Sequence, residues 1–457
     1  MQGVAHSYSS PVGPVASGGS RRILVAIFLA LLSLGLRIPF LSHAGFPADQ
    51  ALFTGWAYQA QVGGLASVYG RLADGRPFCN YPPLYVYVLR SLAAIQDRFA
   101  EPAGQLGPQT QAAVWSGAAD DRSADIARVL HKIPAVLADA FVVMLLCYWL
   151  WPEVGSAMAV CVALVYALSP AVIQDSAVWG QVDGIPALLI ILSLESARRR
   201  DLVWMAVWAT LALLMKAQAM MIAPIWAAIF WQEGRRRPAE LIKAVGSGLV
   251  VVAIIILPFV GALDGVWAAY ARAAKYYPFT HFNGFSAWFL GNPLNSPQLE
   301  GALSKAYVHD DTPAFLGITS RTWGFFGLVI LWGRVFIELI RRDSDQSTIR
   351  WAARVLPLGF FLISTQMHER YLFPAIALWA WAALPTRRWW MCWIGLSLCA
   401  AANQFWVWPG PRRDQSAQVL ASWLHHEWVG ISASIALILI FALSLLKRPQ
   451  GRPVSAR

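Results

Sequence analysis

Charge is scarce in this chain. Only 13% of its 457 residues are Asp, Glu, Lys or Arg, about half the share usual in a soluble domain. That shortage excludes an ordinary soluble fold, and 57% hydrophobic residues with a mean hydropathy of +0.50 take up the difference. Cysteine is sparse too: Cys79, Cys147, Cys161, Cys392 and Cys399. Four lie inside apolar runs and read as small core residues. Only Cys79 falls in an expected external loop, so no disulfide partner is evident, and no spacing suits zinc. No small-residue cleavage site follows the first apolar run, which starts after Arg21-Arg22. Ile23 to Leu41 therefore reads as an uncleaved anchor, not a signal peptide. There is no internal repeat. The net charge of +11 does not imply nucleic acid. Most basic residues sit in short loops between apolar runs, where they set orientation and meet anionic lipid.

What is present is a series of apolar segments separated by those basic loops, the pattern of a multi-pass helical membrane protein. Pro and Gly inside the segments argue helices and not an outer-membrane barrel. Lys/Arg bias gives spans at 23–41, 126–151, 154–173, 184–197, 202–215, 219–232, 242–261, 323–340, 351–365, 372–385, 389–404 and 430–446. The expectation is an all-α, multi-pass integral membrane protein with about 12 transmembrane helices and both termini cytoplasmic. Leu84 to Ile95 is too short to cross and is interrupted by Arg90, so it reads as a juxtamembrane helix in a large external loop, 42–124. Residues 1–20 read as a disordered cytoplasmic tail, 21–262 and 322–447 as two transmembrane modules, 263–321 as a second external loop and 448–457 as a basic cytoplasmic tail.

With orientation set by basic residues alone, the polar residues near span ends gather on the external face: Asp49, Asn80, Gln181, Asp183, Lys216, Gln218, His368, Glu369 and Arg370. Ionisable groups at a membrane edge are costly unless paired or used. Each has a structural reading beside the functional one. Asp49 and Asp183 stand where helices begin and suit caps. Lys216 suits a snorkelling lysine, and Tyr81 and Trp179 suit the interfacial aromatic belt. Pro82-Pro83 fix the backbone. Elsewhere, Asp139 is expected to pair with a neighbouring helix, and Arg334 with Glu338 along one helix face. Asp343-Ser344-Asp345 has the Asp-x-Asp form of metal-dependent sugar-nucleotide enzymes, but it falls in a cytoplasmic loop and is discounted. Asp120-Asp121 and His425-His426-Glu427 are external without ligand spacing.

The ordered set Asp49…Trp56, Asn80-Tyr81-Pro82-Pro83, Trp179-Gly180-Gln181-Val182-Asp183, Lys216-Ala217-Gln218 and Gln366-Met367-His368-Glu369-Arg370-Tyr371-Leu372-Phe373-Pro374 resembles bacterial multi-pass glycosyltransferases of the GT-C superfamily. The nearest likeness is to the group related to the second mannosyltransferase of GPI-anchor assembly. A more distant one, in Tyr-Pro-Pro-Leu and His-Glu-basic, is to the glucosyltransferases of N-glycan assembly. The resemblance covers most of residues 22–385. It implies a GT-C fold whose large first extracytoplasmic loop carries juxtamembrane helices. It also implies inverting transfer of a hexose, mannose favoured, from a polyprenyl-phosphate donor to a lipid-linked, glycan or protein acceptor. The reaction would take place at the extracytoplasmic face of the cell (inner) membrane. Asp49 is then the catalytic base. Lys216, His368 and Arg370 hold the donor phosphate, and Tyr81, Trp179, Gln181, Asp183, Gln218 and Glu369 line the substrate site. Glu369 has the alternative of pairing with Arg370 or Lys216 and shaping the site. His281 to Trp288 resembles a segment that covers the donor, a lid. No metal ligand is assigned and no cofactor is required; a divalent metal stays open. The partners are the lipid-linked donor, the acceptor and membrane lipid, with no nucleic acid. The competing classes are a lipid-linked polysaccharide polymerase or ligase and a lipid-sugar flippase. The flippase fits less well, because its polar residues would sit at mid-membrane on broken helices.

Overall fold

The computed structural model describes residues 17–70, 79–99, 122–271, 277–295, 307–384, 386–408 and 423–446. It is an all-α membrane protein, and among the described residues β structure is limited to isolated bridges. The helices in chain order are α1 (Ser17–Leu41), α2 (Pro47–Val62), α3 (Pro83–Phe99), α4 (Arg122–Val154), α5 (Ser156–Ala167), α6 (Pro170–Ile173), α7 (Gly184–Arg198), α8 (Leu202–Met215), α9 (Ala223–Arg236), α10 (Pro238–Ile256), α11 (Leu263–Ala271), α12 (Ser320–Arg341), α13 (Gln346–Ile363), α14 (Phe373–Trp381), α15 (Arg387–Val407) and α16 (Glu427–Leu446). A π-helical turn, Gln174–Trp179, continues α6.

Among the described residues five helical stretches are long and apolar enough to cross a membrane: Gly19–Leu41, Asp125–Val154, Pro238–Ala271, Ser320–Arg341 and Glu427–Leu446. A sixth arises if α5 and the bent segment Pro170–Trp179 count as one span. In lipid every backbone group must be bonded within the segment, which is why these apolar runs become helices. Their outer faces carry the signature of a hydrocarbon environment. Ile242, Leu257, Trp267 and Ile330 are each more than 70% exposed, far beyond the scattered apolar exposure of a soluble surface. α14 is the opposite case, with all nine of its residues buried. It lies in the centre of the bundle, against α13, α15 and α7.

The segment between α1 and α4 holds two helices where one was expected. α3 covers the expected Leu84–Ile95, and α2 packs against it. Each opens on a proline, Pro47 and Pro83, whose fixed φ and missing N–H suit the first helical position. The N-terminal boundary also moves: residues 17–20 are helical, because Arg21 and Arg22 are good helix formers that carry α1 past its apolar run. The rest of that expected tail, the basic tail from 448 and Asp120-Asp121 lie outside the described residues.

Inside the bundle Arg37 on α1 meets Asp139 on α4 at 3.3 Å, both fully buried. The Ser176 hydroxyl, on the π-turn, donates to the same carboxylate at 2.6 Å. At the ends of the helices away from the α1–α2 loop, arginines are tied into acid clusters. Arg198 and Arg350 share Glu153, Arg200 and Arg237 share Glu233, and Arg236 reaches Asp343 at 2.8 Å. Asp345 caps α13 through the Thr348 N–H at 2.7 Å, so the Asp-x-Asp stretch is spent on structure. Two expectations are corrected. Glu338 bonds Arg342 at 2.5 Å instead of Arg334, because a cation one turn nearer the helix C-terminus also meets the dipole. Cys161 is exposed and is not a core residue, whereas half-buried Cys399 packs against the core; an outward face of a span needs only an apolar side chain.

Candidate functional site

The site begins where α1 ends. Lys132 donates to the carbonyls of Phe40, Leu41 and His43 at 3.2, 3.1 and 2.5 Å, so a cation closes the orphan carbonyls of that terminus. The chain then lies on the strand of backbone after the π-turn. The Phe46 N–H donates to the Trp179 carbonyl at 2.9 Å, and the two rings stack at 4.4 Å. Gln50 Nε2 donates to the carbonyls of Trp179 and Gly180 at 3.3 and 3.1 Å. Gly180 has φ +82°, and a Cβ there would stand 2.3 Å from Gln50 Nε2, so both the conformation and the close approach require glycine.

This docking presents Asp49. It sits in the first turn of α2, yet no side chain caps that helix. The Asp49 Oδ2 atom instead accepts a hydrogen bond from Trp179 Nε1 at 2.6 Å and lies 3.7 Å from Arg370 Nη1. Among the described residues Oδ1 has no partner, and the side chain is 13% exposed. Asp183 likewise stands at the start of α7 without capping it; its Oδ1 takes the Lys216 ammonium. Lys216 is almost buried and therefore does not snorkel. Trp179 is 1% exposed, which removes it from the interfacial belt. The Tyr81 hydroxyl donates to Gln181 Oε1 at 3.2 Å, and the Tyr81 carbonyl is held by the Tyr69 hydroxyl at 2.7 Å.

The third part is the turn between α13 and α14. Arg370 Nη1 donates to Glu369 Oε1 at 2.6 Å, and His368 Nδ1 lies 3.8 Å from Glu369 Oε2. The guanidinium also lies 5.9 Å from the Trp179 ring and 6.0 Å from the Tyr371 ring. The Lys216 ammonium lies 5.5 Å from Tyr371 and 5.6 Å from Tyr81. The expected lid is pinned here: the N–H groups of Phe282 and Gly284 both donate to the Met367 carbonyl, at 2.9 and 3.0 Å. Asn403 brackets the same segment, accepting from Phe285 N–H and donating to the Asn283 carbonyl. Gln366 and Asn283 both have left-handed φ, 65° and 66°. Such strain costs about 1–3 kcal/mol per residue and collects at functional sites.

The charges in this turn are fixed by their surroundings. Burial alone would raise the Glu369 carboxyl, but Arg370 and the His368 bond outweigh it and hold the pKa at about 2. Burial likewise works against the Arg370 charge, and Asp49 and Glu369 override it, raising the pKa. For His368 burial wins over the bond to Glu369, and the pKa falls below 6.5. The imidazole is thus neutral at pH 7, and its buried Nε2 has no partner.

The structure therefore brings Asp49, Trp179, Arg370, Glu369 and His368 into one contact chain, with the pairs Tyr81–Gln181 and Asp183–Lys216 beside it. Gln218 follows on the next turn, with both side-chain polar atoms buried and unpartnered. Among the described residues no group of three His, Cys, Asp or Glu side chains could hold a metal; His425 meets the Phe405 carbonyl at 3.2 Å instead. Sequence reasoning missed Asp175. It lies on the π-turn, is 1% exposed, and feels the charges of Asp183, Lys216 and Arg370. An acid four residues before Trp179, at a membrane edge, was the available signal. No protein-family model and no curated protein matches the chain.

Proposed function

We propose that the protein is an inverting glycosyltransferase of GT-C architecture. It would move a hexose, mannose favoured, from a polyprenyl-phosphate donor to a lipid-linked, glycan or protein acceptor. The observation that carries this reading is the carboxylate of Asp49, gripped at one oxygen by Trp179 and Arg370 and left open at the other. The open oxygen takes the proton of an acceptor hydroxyl. The hydroxyl oxygen attacks the anomeric carbon while the bond to phosphate breaks, and polyprenyl phosphate leaves with the electron pair. Lys216 and Arg370 meet the charge that develops on it, and neutral His368, its Nδ1–H turned to Glu369, presents Nε2 as an acceptor for a substrate hydroxyl. Glu369 shapes this set by fixing Arg370. The clustering of arginines at the other ends of the helices supports a site on the extracytoplasmic side of the cell membrane.

The test is product analysis with purified, reconstituted protein given a polyprenyl-phosphate hexose and a glycan acceptor. Transfer of a single sugar with release of polyprenyl phosphate is expected. Chain growth from pyrophosphate-linked repeats would replace this reading with a polymerase, and movement of the donor across the bilayer without transfer would replace it with a flippase.

A further inference from the structure

The π-turn carries a carboxylate that the reaction above leaves without a role. Asp175 is 1% exposed, and neither of its carboxylate oxygens has a hydrogen-bond partner. Its backbone is occupied, since the carbonyl accepts from both Gly180 N–H and Gln181 N–H, at 3.1 and 2.9 Å. A buried, unsatisfied acceptor costs about 1–3 kcal/mol, more when charged, so an orphan of this kind calls for an explanation. π-turns recur at functional sites for this reason: one extra residue re-aims a side chain.

The neighbouring orphans define what would satisfy it. Asp183 is fully buried and uses Oδ1 on Lys216, leaving Oδ2 open; Gln181 is fully buried and uses Oε1 on Tyr81, leaving the Nε2 donor open. Neither nearby cation bonds Asp175: Lys216 pairs with Asp183, and Arg370 with Asp49 and Glu369. The corner thus offers three open carboxylate acceptors and one amide donor. A phosphate suits it poorly, because the open oxygen of the Asp183 carboxylate would meet it acceptor to acceptor. A sugar ring suits it, because each hydroxyl gives one hydrogen bond and takes another, and adjacent hydroxyls can engage the two oxygens of a carboxylate together.

We infer that Asp175, with Gln181 and Asp183, forms the subsite that reads the hydroxyls of the transferred sugar, beside the cations that hold the phosphate. This rests on the proposed function for the identity of the ligand. It adds a specificity-determining residue and divides the site into a phosphate half and a sugar half.

The experiment compares affinity for polyprenyl phosphate and for polyprenyl-phosphate mannose, using the full chain in detergent. The ratio of the two dissociation constants isolates the sugar. Wild type should bind the mannosyl lipid about tenfold more tightly or better, the worth of one hydrogen bond. Asp175→Asn should reduce that ratio to about twofold while leaving the bare lipid phosphate within about twofold of wild type. An unchanged ratio, an equal loss for both lipids, or a ratio abolished by EDTA would overturn the subsite, the last in favour of a cation site. A second measurement needs no variant: donors lacking single hydroxyls should bind wild type about tenfold more weakly at one or more positions, and indifference to every deletion would overturn it. Turnover is read separately. A wild type that shows the sugar-dependent gain yet transfers nothing contradicts the transferase reading and leaves the subsite standing.

Discussion

An indole donates the hydrogen bond that orients the carboxylate of Asp49. Trp179→Phe keeps a ring against Phe46 but removes that donor, so turnover should fall about tenfold with little change in melting temperature. Measuring kcat and Tm on the same preparation checks this; equal losses in both would make Trp179 a packing residue only. Glu369 gives a pH prediction. Its folded pKa of about 2 lies below the ordinary 4.5, so the charged form stabilises the fold above pH 4.5 and that stability is lost as pH falls through 2. Glu369→Gln should accordingly destabilise the protein near neutral pH, with the gap from wild type narrowing on acidification; melting curves from about pH 6 to about pH 3 report it. At this scale much was legible, because Asp, Lys, His and Arg are rare in such a chain and each therefore stands out. Whether a given carboxylate caps its helix or faces a partner was not legible. Asp49 and Asp183 both occupy helix starts, and only Trp179 and Lys216, distant in sequence, draw them away.

The elements that aim the site are short and irregular. The π-turn Gln174–Trp179 ends at Gly180, whose positive φ and contact with Gln50 leave no room for a side chain. Gly180→Ala should cost about 1–3 kcal/mol and loosen the loop carrying Asp49, seen as a lower Tm together with reduced turnover. Wild-type behaviour would mean that the Phe46–Gln50 docking is dispensable. The Arg37–Asp139 pair fastens this turn to α1 and α4. Asp139→Leu alone strands a buried guanidinium and should cost about 3–5 kcal/mol, whereas the double variant with Arg37→Met should recover most of it. A thermal-stability cycle over the four proteins measures that recovery; additive losses would contradict the pairing. Spans were readable from their apolar length, as α1, α4 and α16 illustrate. α2 was not, because Asp49, Gln50, Gln59 and Gln61 interrupt its sequence and its helix depends on packing against α3. No periodicity announces a π-turn.

At the scale of the whole molecule the chain separates its charges. Acids and bases that face one another across the α1–α2, α6–α7, α8–α9 and α13–α14 connections form the site, and arginine–acid clusters bind the opposite helix ends. Exposed positions at the two ends provide a reporter: Val62 ends the site helix α2, and Ser347 lies in the first turn of α13 at the arginine end. In a cysteine-free background, Val62→Cys should react with an impermeant thiol reagent on intact cells and Ser347→Cys only after permeabilisation; the reverse pattern would place the site in the cytosol. The most direct test of the central claim is turnover of Asp49→Asn with a polyprenyl-phosphate hexose, alongside its donor affinity and Tm. Loss of the base should cut the transfer rate about a hundredfold or more while the variant stays folded and still binds donor. Near-wild-type transfer by that folded variant would contradict the account.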